Sequence, residues 1–272
     1  MLNILLGYYY VKLILEIMNN LIESIKIFFR PTVYHIRYLK RRFLAVIFKS
    51  KISDAKQIPI IINNRNRLEY LLKLIDALVE RGYNNIYIID NFSSYPPLLE
   101  YYQSCKYPVF RLKENVGHLA LWDTGIYKQF IKDYYVYTDP DVVPINECPN
   151  DFLEHFWSHL KSNKRVQKIG FSLKIDDLPK CFKDKDKVIN WESQFYEKEV
   201  LNLFFEGFID TTFALYRPWM RAGKGALMYR SKFPYQARHM PWYVDSENLS
   251  SEEQFYIDNS TTSTHWTKLN KQ

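Results

Sequence analysis

Glycine is scarce in this chain, and the two common glycine-rich phosphate-binding motifs are missing from it. Only 8 of the 272 residues are glycine. No Gly-x-Gly-x-x-Gly follows the first predicted strand, and no Gly-x-x-x-x-Gly-Lys-Ser/Thr occurs. Dinucleotide binding of the Rossmann type and P-loop chemistry are therefore poor fits.

Cysteine is also rare, and long uncharged runs are missing. The three cysteines, Cys105, Cys148 and Cys181, lack metal-ligand spacing, which argues against a zinc site and favours a reducing, cytoplasmic compartment. The longest run without charge covers residues 1–11, whereas a helix that spans a bilayer needs roughly 18–20 apolar residues. No basic start is followed by a small-residue cleavage site, so we expect no cleaved signal peptide.

Positive charge is concentrated at one end of the chain. Residues 1–56 contain ten Lys and Arg against three Asp and Glu, and so carry the whole net charge of +7. The remaining residues contain 27 of each sign and are neutral, which counts against a nucleic-acid-binding groove. We therefore expect a basic N-terminal segment over residues 1–56 and a globular domain over residues 57–272.

The N-terminal segment has the pattern of an amphipathic helix beside a basic cluster. Polar and apolar residues alternate at helical spacing over residues 1–30, and Arg37, Lys40, Arg41 and Arg42 precede the apolar run 43–48. Such a stretch can lie on an anionic membrane surface, and we expect peripheral attachment to the inner face of the membrane. The alternative is a helix that packs on the catalytic body or on a second copy of the chain.

From residue 57 onward, apolar strand patterns alternate with helical ones at the length of βαβ units. This predicts an α/β fold with a mostly parallel sheet flanked by helices. The predicted strands cover residues 58–62, 86–89, 109–112 and 134–138, and the predicted helices include residues 68–79 and 118–132. A further strand is predicted over residues 207–217.

Every one of the first four strands is followed by a polar cluster. The clusters are Asn63 to Arg67, Asp90 to Ser94, Lys113 to Gly117, and Asp139 to Asp141. Because the carboxyl ends of parallel strands meet at one edge of a sheet, we expect a binding site there. Asp139 and Asp141 point the same way in extended chain, so both carboxylates can bind one hard cation such as Mg²⁺ or Mn²⁺.

The ordered set of these motifs resembles the GT-A fold nucleotide-sugar glycosyltransferases, especially glycosyltransferase family 2. The matching pieces are Asp90-Asn91-Phe92-Ser93, Asn115-Val116-Gly117, Gly125-Ile126 and Asp139-Pro140-Asp141. The resemblance covers residues 57–145 well and continues more weakly to about residue 257. It implies a nucleotide-binding half over residues 57–145 and an acceptor and catalytic half over residues 146–272.

The resemblance implies a metal-dependent, hexosyltransferase-type enzyme of polysaccharide biosynthesis. It would move a sugar from a nucleotide-diphosphate sugar, with a UDP-sugar as the expected donor, to a glycan or lipid-linked acceptor. Mn²⁺ or Mg²⁺ would be held by Asp139 and Asp141, with His239 as a third ligand. The nucleotide would be bound by Asn63, Asn64, Arg67, Asp90, Asn91, Lys113, Asn115, Gly117 and Asp139.

The general base of such a transfer would be a carboxylate within hydrogen-bond reach of the acceptor hydroxyl. The ranked candidates are Asp245, Glu252, Asp210 and Glu192. Glu252 belongs to a Glu-Glu pair near the start of a predicted helix, where inverting relatives of this type carry Glu-Asp.

Two other functions fit parts of the pattern. A haloacid-dehalogenase-type sugar phosphatase also has a strand followed by Asp-x-Asp-x-Val, with Lys168 and Asp176-Asp177 as its downstream groups. Three βα units upstream of the motif count against it. The third possibility is a non-catalytic module that binds a nucleotide sugar.

Overall fold

The computed structural model describes residues 49–221 and 226–260. Of the N-terminal segment it also describes Thr32, His35, Ile36, Leu39–Leu44 and Ile47. The chain divides into two units, residues 1–49 and residues 50–272. The helix predicted over residues 1–30 lies outside the described residues.

A single mixed sheet of ten strands organises the larger unit. In chain order the strands are β1 (Ile60–Asn64), β2 (Ile86–Asp90), β3 (Val109–Arg111), β4 (Tyr135–Thr138), β5 (Val142–Pro144), β6 (Lys168–Leu173), β7 (Glu199–Val200), β8 (Phe204–Glu206), β9 (Ala214–Tyr216) and β10 (Met228–His239). β1, β4 and β6 have no exposed residue and consist mainly of aliphatic and aromatic side chains, as expected for strands covered on both faces.

The order across the sheet is β3-β2-β1-β4-β9-β6-β10-β8-β7, and β5 pairs with β10. β1 to β4 are parallel where they pair, and β6, β7 and β10 run in the same direction through their partners. Seven of the ten described strands therefore share one direction, while β5, β8 and β9 are antiparallel to their neighbours. The predicted α/β class with a mostly parallel sheet is confirmed.

Helices cover the sheet and bury apolar stripes against it. They are α1 (Glu69–Glu80), α2 (Pro96–Ser104), α3 (Ala120–Asp123), α4 (Phe152–Ser162), α5 (Lys185–Ser193) and α6 (Ser251–Asp258). Leu71, Leu74 and Leu78 form the buried stripe of α1, which ends before Gly82 at φ +83°. None of the described helices combines the length and apolar character that crossing a membrane requires.

Two local predictions differ from the structure. The helix predicted over residues 118–132 is interrupted, because Gly125 adopts φ +78° and separates α3 from a short 3₁₀ turn at Ile126–Gln129. The strand predicted over residues 207–217 is reduced to β9, and residues 207–213 form an irregular connection. This connection supplies groups to the candidate site.

Candidate active site

The ends of β1 and β2 and the turn after β3 are joined through one carbonyl group. The side-chain amides of Asn63 and Asn91 donate to the carbonyl oxygen of Gly117 at 3.4 and 2.8 Å. The side-chain oxygen Oδ1 of Asn91 accepts from the backbone N–H of Val116 at 2.9 Å. Asn115 Oδ1 accepts from the backbone N–H of Gly117 at 3.0 Å. Gly117 has φ +80°, and a Cβ added to it would meet no atom within 4 Å. Residues of three of the four predicted polar clusters thus meet at Gly117, beside space that no protein atom fills.

Asp90 is completely buried at the end of β2 and is held by neighbouring donors. Its Oδ1 accepts from the backbone N–H of Ser93 at 3.0 Å, and its Oδ2 is 3.1 Å from Nε of Arg111. The Arg111 side chain remains 58% exposed, so this cation faces solvent beside the site. Lys113 is also exposed.

Asn64 points to the other side of β1. Its amide donates to the Tyr102 hydroxyl at 2.9 Å, while its buried Oδ1 has no hydrogen-bond partner among the residues described. Asn63 is buried beside it and likewise keeps an unpartnered Oδ1. Buried amide oxygens without protein partners are rare in native proteins, so both oxygens are suited to accept a hydrogen bond from a bound molecule.

Asp139 is the first residue after β4 and lies next to Asn63, because β1 and β4 pair in parallel with Ile62 opposite Thr138. The hydroxyl of Thr211 donates to Asp139 Oδ2 at 2.7 Å. Burial raises the pKa of Asp139 well above its usual range, and the negative charge of Asp141 raises it further, although the Thr211 hydrogen bond acts in the opposite direction. The fourth predicted cluster therefore lies at the same edge as the other three.

Asp141 faces His239 across the antiparallel pair of β5 and β10. Its Oδ1 is 3.7 Å from His239 Nε2. In the described part of the chain, neither Asp141 Oδ1 nor His239 Nδ1 has a hydrogen-bond partner, although both atoms are buried. The ring of Trp242 packs against His239 with 4.7 Å between centroids.

These groups fit a divalent cation. Two close carboxylates destabilise each other in a buried place, and a hard cation would relieve both the repulsion and the unpartnered Asp141 oxygen. Among the described residues, no three His, Cys, Asp or Glu side chains are already grouped as ligands of one ion. Asp139 and Asp141 could supply two carboxylate ligands, and Mg²⁺ bound at nucleotides usually takes its other ligands from phosphate and water oxygens.

Helix α6 returns to the strand ends and fixes Arg67. The guanidinium of Arg67 is 2.7 Å from Glu253 Oε2, and both side chains are buried. Glu253 Oε1 also accepts from the Tyr70 hydroxyl at 2.6 Å, and the Tyr256 ring lies 3.6 Å from the guanidinium carbon. Burial lowers the pKa of Arg67, but the nearby Glu253, Tyr256 and Asp141 more than compensate and raise it. A permanent cation is thus held within electrostatic reach of Asp141.

The four candidate bases lie in different surroundings. Glu252 accepts from the backbone N–H groups of Leu68 and Glu69 at 2.8 and 3.1 Å and so caps the start of α1. Glu192 is 2.6 Å from Arg230 in a buried ion pair. Asp245 accepts from the backbone N–H of Glu247 and the amide of Asn248 within an exposed turn. These contacts of Glu252, Glu192 and Asp245 stabilise a helix start, a buried ion pair and a turn, respectively.

Asp210 is the remaining candidate, and it is exposed next to Thr211. Its negative charge contributes to the raised pKa of Asp139, which places the two carboxylates in one electrostatic environment. Lys168, almost fully buried, donates to the Asp210 carbonyl at 2.9 Å and to the Tyr216 hydroxyl at 3.0 Å. The connection before β9 is thereby anchored from inside the protein.

The groups suggested for a phosphatase are engaged elsewhere. Asp177 pairs with Arg238 at 2.5 Å and accepts from the Tyr243 hydroxyl at 2.5 Å. Asp176 is 2.7 Å from Lys174. Lys168 has the contacts just described.

Several residues of the candidate site have weak signals in the sequence or none. Thr211 follows Asp210 in a polar pair before an aromatic strand, which is a weak signal. Tyr256 lies three residues after Glu253 on α6, so helical spacing could have placed both on one face toward Arg67. The salt bridge of Arg111 with Asp90 depends on the pairing of β2 and β3 and has no local signal.

A separate cleft of about 440 Å³ opens where the chain enters β1 and β2, and its lining includes Asp54, Lys56, Glu80 and Asp151. None of the predicted site residues lines it. Cavity volume alone therefore does not locate the candidate site.

The structure is thus an α/β protein with a mostly parallel sheet, and its candidate site residues lie at the carboxyl ends of β1 to β4. No protein-family model matches the chain, and neither does any curated protein. Solved structures resemble it at low identity.

TarS 1–349 of S. aureus is 16% identical, with 59% of this chain and 46% of that chain covered and a TM-score of 0.37. Glucosyl-3-phosphoglycerate synthase of Mycobacterium tuberculosis, solved with phosphoglyceric acid, is 13% identical over 60% of this chain and 59% of that chain, with a TM-score of 0.38. A cytidylyltransferase of Leptospira borgpetersenii is 12% identical over 52% of this chain and 72% of that chain, with a TM-score of 0.33. The chain thus spans about half the length of the first of these proteins.

Proposed function

We propose that this protein is a metal-dependent glycosyltransferase that takes its sugar from a nucleotide-diphosphate sugar. The observation that carries the proposal is a set of buried polar atoms without partners among the described residues, at one edge of the sheet. They are Asn63 Oδ1, Asn64 Oδ1, Arg67 Nε, Asp141 Oδ1 and His239 Nδ1. Buried polar groups are normally hydrogen-bonded, so this concentration indicates a polar ligand with both donors and acceptors.

The nucleoside would occupy the space around Gly117. Asn63, Asn91 and Asn115 shape this space through their bonds to the turn after β3, and Asp90 stabilises the loop that follows β2. Lys113 and Arg111, both exposed at the end of β3, would add positive charge near a phosphate.

The diphosphate would lie between Arg67 and the carboxylates of Asp139 and Asp141. When bound there, Mn²⁺ or Mg²⁺ would neutralise the charge that develops on the departing diphosphate. Asp139 and Asp141 would hold the ion, with His239 as a further ligand. Arg67 would supply a fixed positive charge on the same side.

Of the four candidate bases, we propose Asp210 as the group that removes the proton from the acceptor hydroxyl. It is exposed and lies beside Asp139, whereas Glu192 and Glu252 are engaged in buried contacts. A hexose as the transferred sugar, and a glycan or lipid-linked saccharide as the acceptor, complete the proposal.

The test is a panel of nucleotide sugars incubated with the full chain, Mn²⁺ and candidate acceptors. We expect release of a nucleoside diphosphate that depends on Mn²⁺ and is lost in Asp139→Asn and Asp141→Asn. Lys164→Met, which changes an exposed lysine, is the matched control and should keep wild-type activity. Release of inorganic phosphate from a sugar phosphate without an acceptor would favour the phosphatase instead. Nucleotide-sugar binding without turnover would favour the non-catalytic module.

We further propose that the N-terminal segment attaches the enzyme to an anionic lipid surface at the inner face of the membrane. Ile36, Leu39, Phe43 and Ile47 have helical backbone, recur at steps of three and four, and are each more than half exposed. They form an apolar stripe in the part of the chain that carries the excess positive charge. Apolar area combined with positive charge is the combination that binds an interface.

Sedimentation with vesicles tests this attachment. The wild-type chain should sediment with vesicles that contain phosphatidylglycerol and less with pure phosphatidylcholine. Phe43→Glu should reduce sedimentation, while Phe233→Glu, at a similarly exposed ring in the larger unit, should not. Equal sedimentation of a chain without residues 1–50 would contradict the proposal.

A further inference from the structure

Phe92 stands at the end of β2 in a backbone conformation that bulky residues rarely adopt. Its φ is +63°, in the left-handed region, where a side chain with a Cβ is strained. Its side chain is 52% exposed, and its ring stacks on no other ring in the described part of the chain. Neither packing nor the turn itself explains a phenylalanine here, because glycine or asparagine would fit the same turn better.

The loop around Phe92 is held firmly by the neighbouring loop. The backbone N–H of Asn66, itself at φ +54°, donates to Ser93 Oγ at 3.0 Å. Asn66 Oδ1 accepts from the backbone N–H groups of Ser94 and Tyr95 at 2.7 and 3.0 Å. The strained conformation therefore persists because its surroundings determine it, which is typical of residues placed for a ligand.

Phe92 lies in the loop after β2, next to the proposed nucleoside space. Phe92 directly follows Asn91, whose amide bonds to the Gly117 carbonyl, and the region above Gly117 is open. On its other side it adjoins Ser93, which bonds to the buried Asp90. An exposed aromatic side chain thus directly follows Asn91, one of the polar residues around Gly117.

We propose that the ring of Phe92 is the platform on which the nucleobase of the donor stacks. This inference rests on the proposed function and names the part of the donor that the loop recognises. Every base has a π-face, so stacking would give affinity with little choice among bases. Loss of one such platform corresponds to a reduction in affinity of about 10-fold.

The experiment measures nucleotide binding and stability in the full chain with Mn²⁺. Calorimetric titrations with UDP, GDP, CDP and ADP first identify the tightest nucleotide, and pyrophosphate serves as a probe that lacks a base. Phe92→Gly and Phe92→Asn both tolerate the left-handed backbone but remove the ring. Phe92→Trp keeps an aromatic face.

We expect Phe92→Gly and Phe92→Asn to bind the tightest nucleotide about 10-fold more weakly and pyrophosphate as the wild type does. Phe92→Trp should stay within about 3-fold of the wild type, since indole also stacks on bases. The melting temperature of Phe92→Gly should equal or exceed that of the wild type, because the backbone strain is relieved.

Other results of the binding titrations would contradict either the stacking role of Phe92 or the proposed function. Unchanged nucleotide affinity in either variant without a ring would overturn the stacking role and leave the proposed function intact. Parallel loss of nucleotide and pyrophosphate affinity would assign Phe92 to the shape of the loop and overturn the inference. Absence of any nucleotide binding in the wild type would contradict the proposed function itself, and the inference with it.

Discussion

The lowered pKa of Lys168, which lies beneath the candidate site, predicts how the stability of the protein changes with pH. This lysine is almost fully buried and has two neutral partners, the Asp210 carbonyl and the Tyr216 hydroxyl. Burial lowers its pKa from 10.5 to about 7, although the nearby charge of Asp210 raises it and that of Arg230 lowers it further. The folded protein therefore gives up this proton at a lower pH than the unfolded chain does.

The sign of the effect on stability follows from linkage. Between about pH 7 and pH 10.5 the unfolded chain binds more protons at this lysine than the folded protein, so the free energy of unfolding rises with pH. The slope is about 1.4 kcal/mol per pH unit for one proton. From pH 7.5 to pH 9.5 the contribution of Lys168 is about 2.5 kcal/mol.

Urea unfolding of the wild type and of Lys168→Met at these two pH values isolates this contribution. The two proteins share all other titrating groups, so the free energy of unfolding of the wild type relative to the variant should rise by about 2.5 kcal/mol from pH 7.5 to pH 9.5. Lys164→Met, at an exposed lysine, should run parallel to the wild type. A difference between wild type and Lys168→Met that does not change with pH would refute the reasoning.

Three further predictions concern contacts around the strand ends. Glu253→Gln should lower the free energy of unfolding by about 3 kcal/mol in urea titrations, since it leaves the buried charge of Arg67 without its partner; a loss below about 1 kcal/mol would contradict this. Gly170→Ala should cost about 3 kcal/mol, because the new Cβ would lie 2.3 Å from the Phe213 carbonyl oxygen; an unchanged melting temperature would disprove this close approach. Thr211→Val should raise the Mn²⁺ concentration for half-maximal nucleotide binding about 10-fold with little change in stability, since it removes the bond that orients Asp139; equal Mn²⁺ dependence would count against that role.

The sheet and the gathering of polar residues at one of its edges could be predicted because their signals are local. Short β-branched and aromatic runs that alternate with helical patterns specify the parallel strands β1 to β4. Polar residues directly after each strand then indicate the binding edge. Asn63, Asn91 and Asn115 do meet around Gly117, and Asp139 leaves the sheet beside Asn63.

The predicted helix over residues 118–132 and the predicted strand over residues 207–217 were wrong in part, because the backbone there does not follow the periodicity of the apolar residues. The apolar spacing over residues 118–132 is helical, but Gly125 in the left-handed region interrupts the helix. Residues 207–213 have strand-like composition, yet Lys168 and Thr211 hold them as a connection that reaches Asp139. Such contacts join residues about 40 to 70 positions apart and leave no periodic signal.

The choice of a general base could not be predicted for a similar reason. Carboxylates are equally visible in the sequence whether they cap a helix, pair with a buried cation or face a substrate. The structure shows Glu252 at the start of α1 and Glu192 beside Arg230. Asp210 as base, and Asp139, Asp141 and His239 as metal ligands, remain predictions for experiment.

Anomalous diffraction from a crystal grown with UDP and Mn²⁺ tests the central claim most directly, because manganese can be located independently of the protein model. Binding of one ion at the end of β4, between the nucleotide phosphates and the carboxylates of Asp139 and Asp141, is the predicted result. A manganese peak elsewhere, or UDP bound away from Asn63 and Gly117, would contradict the account.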